Sequence, residues 1–138
     1  MSRASQRLAG LLLVLFPTVV FGGASILAML VGDESYMDNP IRRDLWRAGH
    51  AHAGVLLMLS LVVLRYVDEA ALSERARSWA RHLIPVAAVL LPIAFFLSVA
   101  SPDATEPNAL IYLAYVGAVA LVTGLLIVGI GLIRQPRP

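Results

Sequence analysis

The chain contains no cysteine, and although it carries eleven basic residues none of them is lysine. The first absence excludes disulfides, thiolate metal sites and cysteine nucleophiles. The second excludes a Schiff-base lysine and a lysine general base. Charge of either sign is scarce: charged residues make up 14% of the 138, with a net charge of +2. So small and scattered an excess gives no electrostatic footprint for nucleic acid. Histidine is limited to His50, His52 and His82.

What is abundant is apolar: 59% of the residues are hydrophobic, well outside the soluble globular range. The excess lies in continuous runs, and about 20 apolar residues let an α-helix cross roughly 30 Å of hydrocarbon. Backbone groups in lipid must be paired within the protein, so only helices or closed barrels span a bilayer, and continuous rather than alternating runs select helices. The sequence predicts a single all-α domain, an integral membrane four-helix bundle with helices at about 8–32, 40–66, 82–100 and 109–133. Arg3 and Arg7 precede the first run as they would a signal peptide. That run is too long for a signal core and ends at Val31-Gly32-Asp33 without a clear small-residue cleavage site, so a retained helix is expected.

Local signals add detail. Pro17 and Gly22-Gly23 bend the first helix and leave it a small-residue surface. Asn39-Pro40 reads as an N-cap followed by proline in the first turn. Arg42, Arg43, Asp44 and Arg47 then fall at the membrane surface, with Trp46 as an interfacial anchor. The polar stretch 68–81 reads as an interfacial helix or a loop, with Pro85 in the first turn of the third helix and Pro92 a kink. Arg3, Arg7, Arg65, Arg75, Arg77, Arg81, Arg134 and Arg137 fall on one side, against Arg42, Arg43 and Arg47 on the other. The positive-inside rule makes the first group cytoplasmic, with both termini, in a multi-pass plasma-membrane protein. The histidine pair then lies toward the outer face.

One stretch carries chemistry. Trp46-Arg47-Ala48-Gly49-His50-Ala51-His52-Ala53-Gly54 puts two histidines inside the membrane end of a helix among small residues. Ionisable groups at such depth are costly and face a cavity or the bundle interior. Residues two apart on a helix point about 200° apart, so the two imidazoles do not ligate one metal from the same side. One serves a site and the other a structural contact. Neutral imidazole is a common axial ligand of haem iron, and small neighbours let a flat macrocycle approach. Against this stand a plain hydrogen-bonded contact between helices, and a non-haem metal or proton relay. A zinc or copper site needs three or four ligands, and His82 belongs to the opposite end. Asn108, Tyr112 and Tyr115 share a face of the fourth helix and could line a pocket. Met58 could pack on a macrocycle, and Arg47 could pair with a propionate or a lipid headgroup.

Several of these features together resemble a known group of proteins. Arg7-Leu8-Ala9-Gly10 opens the first helix, Phe21-Gly22 lies within it, Trp46 precedes His52-Ala53-Gly54, and an aromatic run closes with Ser101-Pro102. In these the chain resembles the small four-helix membrane isomerases typified by styrene oxide isomerase and, more distantly, hydroxylaminobenzene mutase. The resemblance implies a haem b held between the subunits of a trimer, with His52 as its axial ligand. It implies ferric iron acting as a Lewis acid on an epoxide oxygen, so that the ring opens and a 1,2-shift gives an aldehyde. Met58 stands where the family has an asparagine, Phe95 where it has a substrate-positioning tyrosine, and His50 has no counterpart. The resulting expectation is a haem b protein ligated through His52, or alternatively His50, with Arg47, Gly54 and Met58 around the cofactor. Phe95, Asn108, Tyr112 and Tyr115 would line the substrate pocket of a redox-neutral isomerase acting on a small lipophilic molecule from the bilayer. A non-enzymatic role, as an accessory subunit or a haem electron carrier or sensor, is the alternative.

Overall fold

A computed structural model describes residues 1–135. Arg137, one of the arginines used for orientation, lies outside the described residues. The chain forms α1 (Arg3–Gly32), a short α2 (Glu34–Asp38), α3 (Pro40–Tyr66), α4 (Glu74–Ser98), and a 3₁₀ turn (Ala109–Tyr112) running into α5 (Leu113–Ile133). No strand occurs among the described residues. Four segments are long and apolar enough to cross a membrane: α1, α3, α4, and the 3₁₀ turn together with α5.

Local chemistry starts each element. Ser2, Asp33, Asn39 and Ser73 cap α1, α2, α3 and α4, each side-chain oxygen accepting a backbone N–H three residues on. The expected Asn39-Pro40 start is present: Asn39 Oδ1 accepts from Arg42 N–H at 3.0 Å and Pro40 takes the first turn. Two boundaries differ from expectation. The third long helix begins at Glu74 rather than near residue 82, because the Ser73 cap and the acidic Glu74 favour a helix N-terminus in polar sequence. Residues 74–81 are thus helix, and Pro85 lies in the interior of α4 rather than in its first turn. The first helix likewise begins at Arg3 rather than near residue 8.

Hydrogen bonds gather the connections into two ends. At one, Ser2 N–H donates to Asp68 Oδ2 at 2.6 Å, Arg81 donates to Asp68 Oδ1 at 3.1 Å and to Ser5 Oγ at 3.0 Å, and Ala71 N–H donates to Gly131 O at 3.0 Å. The start of α1, the α3–α4 connection and the end of α5 therefore lie together. At the other end Asn39 Nδ2 donates to Pro102 O at 2.8 Å and Ala104 O at 2.9 Å.

Helix α4 is central, packed on α3 and α5, whereas α1 rests on α3. Of the most apolar stretch of each helix, 44% is buried in α4 but only 11% in α1, which makes α1 the peripheral helix. The core joins Leu56, Leu57 and Leu64 of α3 to Ile84, Ala87 and Leu91 of α4, with Ala120 and Val128 of α5. The packing of α5 depends on glycines seven apart, two meeting α4 and the third meeting Leu72 of the α3–α4 connection. A Cβ added at Gly117 would sit 3.0 Å from Leu91 Cγ, at Gly124 2.7 Å from Ile84 Cγ1, and at Gly131 2.8 Å from Leu72 Cδ2. Such a seam lets backbones approach closely where lipid supplies no hydrophobic drive for helix association.

The C-terminal end of α4 is closed by side chains. Phe95 O accepts from Ser98 Oγ at 3.3 Å and Phe96 O from Trp46 Nε1 at 3.2 Å. Leu97 O accepts from Asn108 Nδ2 at 3.1 Å and Ser98 O from Asn108 N–H at 2.9 Å. The four carbonyls that a helix end leaves orphaned each have a donor. Trp46 therefore acts as an internal tie as well as standing near the surface: its ring packs against Phe96 at 5.9 Å and Tyr36 at 6.0 Å.

Candidate functional site

Helix α3 carries the two histidines to different surroundings, as their two-residue spacing requires. His50 turns toward α1, where its ring lies on the Gly22-Gly23 pair. A Cβ at Gly23 would approach the ring to 2.8 Å at Cε1 and 2.9 Å at Nε2. The small surface on α1 is thus the seat of the imidazole. His52 is exposed, with its ring 5.1 Å from that of Phe95 on α4. Its Nδ1 lies 2.7 Å from Ala48 O. A carbonyl only accepts, so Nδ1 carries the proton, and Nε2 is the nitrogen that a neutral ring leaves for a ligand. Between the two, Gly49 meets α4, where an added Cβ would come within 3.2 Å of both Phe95 and Phe96.

The remaining residues singled out from sequence divide accordingly. Arg47 is exposed and lines an opening of about 620 Å³ together with Asp44, His50, Ile26 and Leu30, on the His50 side. Gly54 faces Val19 of α1, 3.7 Å from where its Cβ would be. It is two residues past His52, hence about 200° around the helix from it. Met58 is exposed on α3, turned well away from the His52 direction. Asn108 does not present a helix face: it caps the 3₁₀ turn through Leu110 N–H at 2.9 Å and donates to Leu97 O. Tyr112 and Tyr115 stack on each other at 6.2 Å and are exposed. Of the set, His52 and Phe95 stand beside each other, and His50 and Arg47 share one opening.

A second feature was not anticipated. Between α1 and α4, floored by α3, runs a groove of about 200 Å³ whose walls include Leu15, Val19, Leu57, Val89, Ile93 and Phe96. Its polar groups are His50 and Thr18, and the Thr18 hydroxyl donates to Leu15 O at 2.7 Å. His50 lines both this groove and the opening with Asp44 and Arg47. His52 and His82 each bond a backbone carbonyl four residues back, whereas the His50 ring has no hydrogen-bond partner among the described residues. The Gly22-Gly23 pair was legible as a small surface, but only the fold shows what it receives.

Arg42 was also missed. It is 8% exposed, its guanidinium lies 4.3 Å from the centre of the Trp46 ring, and its Nε has no partner among the described residues. The i, i+4 spacing of Arg42 and Trp46 is the signal that could have revealed this cation–π pair. Among the described residues no three His, Asp or Glu side chains gather as a metal-ion site requires. Comparison of the chain with protein-family models, with curated proteins and with solved structures found no match.

Proposed function

We propose that the protein is a membrane-embedded haem b protein with His52 as the axial ligand, working as a redox-neutral isomerase of a small lipophilic molecule. The observation that carries this reading is the exposed His52 ring beside Phe95, held by a bond from Nδ1 to Ala48 O at 2.7 Å; His82 makes the same kind of bond but has no aromatic ring paired with it. A ligating histidine characteristically donates its other ring nitrogen in this way, which fixes the tautomer and raises ligand basicity. His50, which lines both the groove of about 200 Å³ and the opening of about 620 Å³, is the alternative ligand.

Haem b held by His52 would supply a Lewis-acidic iron. The chain's own residues hold and shield. Ala48 and Ala51 leave His52 unobstructed on its helix, and Phe95 offers an apolar ring at its flank. Because His52 is exposed, a second copy of the chain is the covering surface we propose, in line with a homo-oligomer, a trimer by resemblance. Entry of substrate is from the bilayer, onto which this face opens. In the orientation we propose, the His52 end of α3 lies toward the outer leaflet and both termini lie in the cytoplasm. The competing reading, an electron carrier or sensor, is favoured if the iron is closed by two axial ligands.

The test is an ultraviolet–visible spectrum of detergent-purified protein expressed with ample haem supply, before and after dithionite. A Soret band with reducible α/β bands at near-stoichiometric occupancy is expected, falling at least tenfold in His52→Ala and little in His50→Ala. Cyanide should shift the band if the iron is open. A colourless folded protein, or haem retained by His52→Ala and lost by His50→Ala, overturns the assignment.

A further inference from the structure

We infer that the groove between α1 and α4 binds a small, uncharged, largely apolar molecule carrying one hydroxyl group, with His50 as its hydrogen-bonding partner. This site is separate from the one proposed at His52, on the other side of α3. Four observations carry it. The His50 ring has no partner among the described residues, so its two nitrogens are free to pair with a bound molecule. It is nonetheless held in place by the Gly22-Gly23 seat, which a Cβ would fill. The groove it ends is apolar, walled by Leu15, Val19, Leu57, Val89, Ile93 and Phe96. Its size, about 200 Å³, matches a single ring, since an apolar cavity of about 150 Å³ holds benzene.

The chemistry of the ligand follows. A neutral imidazole has one donor and one acceptor nitrogen, and a hydroxyl can serve either of them. A lipid acyl chain would fill the apolar part but leave the imidazole unpaired. A charged group would have to be desolvated among aliphatic walls. The opening beside Asp44 and Arg47, which His50 also lines, gives the hydroxyl end a route from the polar surface.

The probe is para-cresol, with toluene as its hydroxyl-free counterpart, titrated into the full haem-free chain in lipid nanodiscs with ¹⁵N-labelled histidine. The expected result is a saturable shift of the His50 ring signals by para-cresol, with toluene about tenfold weaker, the worth of one buried hydrogen bond. The His52 and His82 signals should stay in place. In Val89→Trp, which fills the groove from α4, saturable binding should be lost. In His50→Phe the preference for para-cresol should vanish, read from ligand-detected binding. If His50→Phe does not fold, the wild-type comparison of the two probes decides alone. Equal response to both probes, a response that never saturates, as for partition into lipid, or a shift confined to His52 would overturn the inference. Since the protein carries no haem in this experiment, the outcome is independent of whether His52 binds one.

Discussion

Asp68 accepts from Ser2 N–H and from Arg81 where the start of α1 meets the α3–α4 connection. Burial opposes its charge, but the hydrogen bonds from Ser2, Ser5 and Arg81 outweigh that, and its carboxyl is lowered from 3.8 to about 2. A carboxyl depressed on folding stabilises the protein fully above its unfolded pKa and loses that contribution as pH falls through the folded value. Thermal denaturation in detergent should therefore show stability declining from about pH 4 toward pH 2, with Asp68 responsible for on the order of 1–2 kcal/mol. Asp68→Asn should be less stable at pH 7 and show a flatter acid decline; an equally steep decline would assign the effect to other carboxylates. At this scale the divergence of His50 and His52 was legible, because it needs only the angular step of one helix. Their partners were not: Phe95 beside His52 and Gly23 beneath His50 lie on other helices, and a single sequence does not say which helices meet.

Among the elements, the α4–α5 pair shows what hydropathy conceals. All four spanning helices are legible as apolar runs, and Asn39 with Pro40 marks the start of α3 by its capping chemistry. The start of α4 was placed late because Glu74 to Arg81 is polar and lies beyond the apolar run, where the Ser73 cap is the better signal. The glycine seam of α5 has a seven-residue period in plain view, yet apart from Tyr115 and Thr123 the helix is apolar on all sides, so little contrast marks the packed face. Its weight can be measured. Gly124→Leu, forced against Ile84, should destabilise the fold by about 1–3 kcal/mol. Gly129, where an added Cβ meets nothing within 4 Å, should accept Gly129→Leu nearly without cost. Equal thermal shifts for the two variants would remove the seam from the account of how α5 is held.

For the whole molecule, the hydrogen bonds put Ser2, Asp68, Ala71 and Gly131 at one end and Asn39, Pro102 and Ala104 at the other. Arg3, Arg7, Arg65, Arg75, Arg77, Arg81 and Arg134 belong to the first end, Arg42, Arg43 and Arg47 to the second. The excess of arginine makes the first end the cytoplasmic one by expectation. Reporter fusions should then be active as periplasmic-type reporters near Ala104 and silent near Ala70, and the opposite pattern would invert the topology. How deep the second end sits is a separate matter from its side. The carbonyls of Phe95, Phe96, Leu97 and Ser98 are met by Ser98, Trp46 and Asn108, so this terminus asks nothing of water. A helix end that carries its own donors leaves no unpaired carbonyl to hold it at the water boundary. What fixes its depth is instead the charge around it, since the exposed Asp44, Arg47, Asp103 and Glu106 at the same end must stay in reach of water.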